Sequence, residues 1–333
     1  MKKQIQLTVL VAVSSFVISH SSFGQGALTP PGAPAPMMKS LAQIEPRTPI
    51  SSLPFNISTS GSYYLTTNLT GTAGSDGIFF GTGLTGVTVD LNGFALVGLS
   101  NSLIGFNAVG ACTNIVVMNG TVRNWATGFA MSTAVGCRYE RVRILDNRGA
   151  GLNTGDYCVV QDCAVTANGA AGLVAGVSCR VADCVVRGNA TNGINLGSFS
   201  VVERCTVAEN QGIGIKCSSS CTVIGCEVSQ NTLDGIRVPN RCVIRDNRVE
   251  GTGFALGTNA CIHAVSDSAR IEGNHVVGHQ LGIRADNPGN LIVRNTANLN
   301  GTNYFIAAGN SVGPTNTSST TLTNTHPWAN FDL

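Results

Sequence analysis

Charge of either sign is scarce in this chain: Asp, Glu, Lys and Arg make up 11% of its 333 residues. The few charges also balance. Two of the 20 basic residues, Lys2 and Lys3, belong to an N-terminal leader, and the remaining 18 face 18 acidic ones. A neutral chain whose only lysines beyond that leader are Lys39 and Lys216 lacks the charge to hold nucleic acid in general. Long apolar runs are missing past residue 24, so no integral membrane segment remains once the leader is removed. No two aspartates are adjacent.

What the chain has instead is a period. Gly151, Gly172, Gly193, Gly214 and Gly235 stand 21 residues apart, each followed by Leu or Ile. Other columns keep step: Cys137, Cys158, Cys179, Ser200, Cys221 and Cys242; Cys163, Cys184, Cys205, Cys226 and then Asn247; Val165, Val186, Val207, Val228 and Val249; Asn147, Asn168, Asn189, Asn210 and Asn231. A period of this length carried by several columns is the mark of a solenoid whose repeats stack on one another. Within a repeat, apolar residues alternate in three short runs, which predicts three short strands. The second and third are separated by about two residues, such as Gln161-Asp162, and no useful helix fits in the space left. Stacked parallel strands about 4.8 Å apart would align like residues in ladders. After Asn247 the register slips by six residues to Asn274, which predicts an inserted loop at about Gly251 to Ala260, and Asn295 restores the step.

A three-sided coil of this period resembles the right-handed parallel β-helix of the pectate-lyase-like superfamily, an all-β solenoid. Val87 to Phe94 resembles the strand-and-turn motif of its early rungs, Gly61 to Leu65 its opening strand, and Asn119 to Val122 a further rung. That fold hosts lyases, hydrolases, adhesins and structural rods, so it does not choose a function.

The ends divide the chain. Residues 1–24, with Lys2-Lys3, an apolar stretch from Leu7 to Ile18 and small residues to Gly24, read as a secretory signal peptide, predicting a secreted, periplasmic or cell-surface protein. Residues 25–54 read as a Pro-rich arm, 55–313 as the β-helix, and 314–333 as a C-terminal tail or cap ending in Trp328 and Phe331. The cysteines fall mostly in inward columns, where a thiol serves as a small hydrophobe. Disulfides are the alternative, with Cys112, Cys217 and Cys261, outside the columns, the better candidates for a specific bridge. The run Gly81 to Gly86 mimics a dinucleotide fingerprint, but a strand follows it where that motif needs a helix.

One outward row concentrates the chemistry. Two places after each repeat glycine come Asn153, Val174, Asn195, Lys216 and Arg237, and the row continues past the insertion to His263 and Arg284. From Lys216 to Arg284 it spans roughly 15 Å at about 4.8 Å per rung, a few sugar units of a polysaccharide laid along the axis. The resemblance implies that this face is a substrate groove. On that basis Arg237, Lys216 or His263 would be the base of an elimination, Arg284 would bind a uronate carboxylate with Asn195 and Asn153 further along, and Asp234 and Asp286 would hold calcium. No complete lyase motif is present, and the clustered aspartates of the superfamily's hydrolases are missing. Outward strand positions are polar in any soluble protein, so a solvated face is the competing reading. Two functions therefore stand: binding of an acidic polysaccharide along this stripe, with lyase-like β-elimination if enzymatic, or a non-catalytic surface solenoid. No feature of the repeat sets an oligomeric state.

Overall fold

The computed structural model describes residues 46–253, 259–317 and 326–333. The expected signal peptide, most of the expected arm and the centre of the expected insertion lie outside these residues. Within them the chain winds as a parallel β-helix with three faces and no helix. The first face is a 12-stranded parallel sheet running from Phe55–Ile57 to Thr302–Ile306. The other two faces form one continuous 25-stranded parallel sheet.

Each rung bends between the second and third faces through one residue held in the left-handed region. Asp162 (φ 53°), Asp183 (φ 55°), Arg204 (φ 51°), Gly225 (φ 61°) and Asp246 (φ 56°) occupy this corner in successive turns. The two-residue spacing allows nothing wider, so the corner takes mostly Asp and Gly, which accept positive φ more readily than other residues, with Arg204 the exception. At this exposed corner Asp183 and Arg204 form a bidentate ion pair across adjacent rungs, at 2.8 and 2.9 Å.

The interior is built from three ladders. On the first face Leu152, Leu173, Ile194, Ile215, Ile236, Ile262 and Ile283 lie in register, all fully buried. Valines and isoleucines do the same on the other two faces. Each such side chain contributes about 1.5–3 kcal/mol on burial, and the ladder repeats that gain at every turn. Toward the N-terminal end aromatics replace the aliphatics, and Phe106 stacks on Phe129 with ring centroids 4.7 Å apart.

The Asn column is a hydrogen-bonded ladder inside the coil. The Asn168 N–H and its Nδ2 both donate to Asn189 Oδ1, at 3.0 and 2.9 Å, while Nδ2 also donates to the Ile144 carbonyl at 3.3 Å. Asn189 repeats the pattern onto Asn210. Where the turns tighten, the amide satisfies buried backbone groups that no strand neighbour can reach. The repeat glycines make room for it: a Cβ on Gly193 would lie 2.7 Å from Asn210 Nδ2 and 2.7 Å from the Gly214 carbonyl. A second ladder, Asn247, Asn274, Asn295 and Asn330, continues the column that Cys163 to Cys226 begins. All 12 cysteines are free and buried, including Cys112, Cys217 and Cys261, so no specific bridge forms at those three.

Two boundaries move. Thr48–Ile50 already pairs with Gly61–Leu65, and Ile50 is fully buried, so the coil starts inside the expected arm. At the other end Asn330–Asp332 pairs with Thr296 and Ala297, closing the last rung. In this expected tail or cap Trp328 stays 41% exposed, stacked under Arg294 at 4.3 Å, while Ala329 and Asn330 are buried. A strand that adds its own backbone to the sheet needs small side chains on the inside, and the indole is left out.

Candidate functional site

Strand register places the outward row of the first face as a continuous line. Asn153 pairs with Val174, Val174 with Asn195, Asn195 with Lys216, Lys216 with Arg237, Arg237 with His263 and His263 with Arg284. The six-residue slip is taken up between Asn247 and Asn274, whose side chains bond directly, so the row crosses the insertion unbroken.

The row falls into two regions. Around Asn195 and Lys216 lies a shallow open depression of about 320 Å³, floored by Val174 and Leu196 and edged by Gly197 and Ser218. Lys216 is exposed and makes no ion pair among the described residues. Asn195 accepts a hydrogen bond from Asn192 Nδ2 at 2.9 Å. Asn153 is half-buried two rungs earlier, beyond the residues that line the depression.

Around His263 the row closes in. The imidazole is 5% exposed, with Nδ1 3.0 Å from Asp234 Oδ2 and Nε2 2.8 Å from Asp286 Oδ2. Both ring nitrogens thus face carboxylate oxygens, which engages both edges of the ring. Asp234 is buried, and its other oxygen accepts the Ala260 N–H at 2.7 Å, tying the end of the insertion to this cluster. Arg237 lies 3.8 Å from Asp234 Oδ2, with its side chain 44% exposed. Arg284 Nε donates to Asp286 Oδ1 at 2.6 Å. Burial acts to raise the Asp286 carboxyl, but hydrogen bonds from His263 and Arg284 outweigh it and hold the group below the usual carboxylate range.

Thus the structure brings Lys216, Arg237, His263 and Arg284 into one line, and gathers Asp234 and Asp286 onto His263. His263 does not stand open as a free base, because both nitrogens are engaged. The two carboxylates suit calcium poorly, since Asp234 has both oxygens occupied and sits under the chain. Among the described residues no group of three or more His, Cys, Asp or Glu side chains converges to hold a metal ion. One outward residue was missed: Phe305, in register with Arg284 and 52% exposed. It lies one 21-residue step past Arg284, so extending the period would have found it.

Residues 178–317 match the family described as periplasmic copper-binding protein (NosD). The solved A-module of the mannuronan C-5 epimerase AlgE6 from Azotobacter vinelandii is similar at 13% identity and a TM-score of 0.57, over 85% of this chain and 88% of that one. The AlgE4 A-module from the same organism gives 13% and 0.54, over 73% and 89%. The catalytic unit of a GH87 α-1,3-glucanase from Streptomyces thermodiastaticus gives 15% and 0.54, over 83% and 60%. No curated protein sequence matches the chain. These likenesses establish the fold as a right-handed parallel β-helix.

Proposed function

We propose that the first face binds an anionic polysaccharide laid along the coil, and that Lys216 removes a proton beside a uronate carboxylate there. The observation that carries this reading is the unbroken row from Lys216 through Arg237 and His263 to Arg284 in a neutral protein. In the elimination, the unprotonated Lys216 amine takes the proton α to the carboxylate. The electron pair forms a carbon–carbon double bond, the glycosidic C–O bond breaks, and the leaving oxygen takes a proton from solvent water. Arg237, half exposed and only loosely held by Asp234, faces the carboxylate and stabilises the charge that builds on it. His263 serves as a positioning residue. It pins Asp234 and Asp286, which in turn set Arg237 and Arg284.

Two of the structural neighbours are named as mannuronan epimerases and one as a glucanase, which supports a carbohydrate ligand. The family description names copper and the periplasm. An exported location fits the leader, whereas no donor set for copper converges among the described residues, and neither copper nor calcium enters this proposal.

The test incubates the mature protein with polygalacturonate and alginate and follows the ultraviolet absorbance of unsaturated product, alongside retardation in gels containing the same polymers. Signal that vanishes in Lys216→Ala and drops at least tenfold in Arg237→Gln supports the elimination. Retardation without absorbance leaves a non-catalytic binder. Neither signal removes the polysaccharide reading and leaves a structural solenoid.

A further inference from the structure

The row that carries the cations ends on an aromatic ring. The final strand of the first face, Thr302–Ile306, sends Tyr304 and Ile306 toward the core and leaves Phe305 on the outside. Phe305 is in register with Arg284, and the Arg284 guanidinium carbon stands 6.0 Å from the ring centroid. That distance is at the outer limit of a cation–π contact, and the ring beneath the guanidinium stays half exposed. A phenyl ring 52% exposed at an outward position gives nothing to the core and leaves apolar surface in water. A residue serving to close the end of the coil would lie over the open core, as the strand Asn330–Asp332 does through Asn330. Phe305 lies instead on the outer surface, in line with Lys216, Arg237, His263 and Arg284.

We propose that Phe305 and Arg284 form the terminal subsite of the track: the apolar face of one pyranose ring stacks on Phe305 while the guanidinium of Arg284 binds the carboxylate of that ring or its neighbour. The ligand class is an acidic oligosaccharide whose rings present C–H groups on one face and a carboxylate at the edge. Pyranose C–H groups carry partial positive charge, and the face of an aromatic ring is negative, so the contact adds attraction to area burial. Four rung steps separate Lys216 from Phe305, roughly 19 Å at about 4.8 Å per rung, and Phe305 thereby sets where the chain stops. This subsite rests on the polysaccharide reading of the same face.

The test measures binding of purified oligouronates by calorimetry to the wild-type protein, Lys216→Ala, Phe305→Ala, Phe305→Leu and Phe305→Trp, with thermal melts to show that each is folded. Phe305→Ala and Phe305→Leu should weaken binding about tenfold, because leucine restores apolar area without a flat ring face. Phe305→Trp should bind at least as well as wild type, and its added indole fluorescence should change on ligand addition beyond the background of Trp125 and Trp328. Wild-type affinity in Phe305→Ala or Phe305→Leu, with Lys216→Ala weakened, overturns the subsite and leaves the track intact. Absence of any binding by the wild-type protein removes both.

Discussion

His279 shows how a single buried side chain writes a pH dependence into this coil. It is 1% exposed; its Nε2 lies 3.3 Å from the Leu233 carbonyl, and its Nδ1 accepts the Gln280 N–H at 2.9 Å. These partners define the neutral tautomer, with the proton on Nε2. Burial lowers its pKa below the ordinary 6.5, outweighing the carbonyl contact to Leu233. The unfolded chain therefore binds this proton more readily than the folded one, and the stability tied to His279 is full above pH 6.5 and erodes as pH falls through the window between 6.5 and the lowered folded value. Thermal melts between pH 8 and 5 should show the midpoint falling over the acid half of that range. His279→Asn, which takes no proton there, should flatten the slope; an equal slope in the variant would place the effect on other groups.

At the scale of the repeat, the glycine and asparagine columns are one device. The ladder amide can approach the backbone closely only because the facing residue has no Cβ, and glycine can stay uncovered only because the amide fills the space. Asn210→Ala leaves the Asn189 N–H and side-chain amide without their acceptor in the interior. Each buried group left unpaired costs about 1–3 kcal/mol. Denaturant unfolding should show that loss, and Gly193→Ala should destabilise by a similar amount through the clash with Asn210. Both substitutions together should cost less than the sum, since removing the amide relieves its share of the clash and leaves only the contacts with the Gly214 carbonyl and Val207. Simple additivity would mean that the two columns act independently.

For the molecule as a whole, the cysteines are core rather than chemistry. All 12 are buried and unpaired, and burial pushes the Cys261 thiol up to about 12, well away from the thiolate. A thiol reagent should label essentially none of them in the native protein and 12 in denaturant, without prior reduction. Labelling of fewer than 12 in unreduced, denatured protein would show disulfides. The interior of a solenoid is one column, so label should enter cooperatively with unfolding rather than site by site.

The repeat itself was legible in the chain because it is local: a residue 21 places on sits one rung up, and identical columns announce which side chains stack. That logic predicted three strands, the two-residue corner, the Asn ladder, the six-residue slip and the outward row as far as Arg284. It placed the start of the coil too late, because the Pro-rich composition near Pro46 and Pro49 hid a strand that needs only alternate buried residues. It also read His263 as a base and Asp234 with Asp286 as a calcium site, without joining the three. Which way an imidazole turns, and whether two carboxylates on neighbouring rungs reach its two nitrogens, depends on side-chain packing across an insertion that breaks the period. The sequence alone therefore determined the fold and the line of outward residues on its first face. Only the tertiary structure decided which members of that line stand open and which are locked, because exposure is a property of neighbours brought together in space, not of position in a repeat.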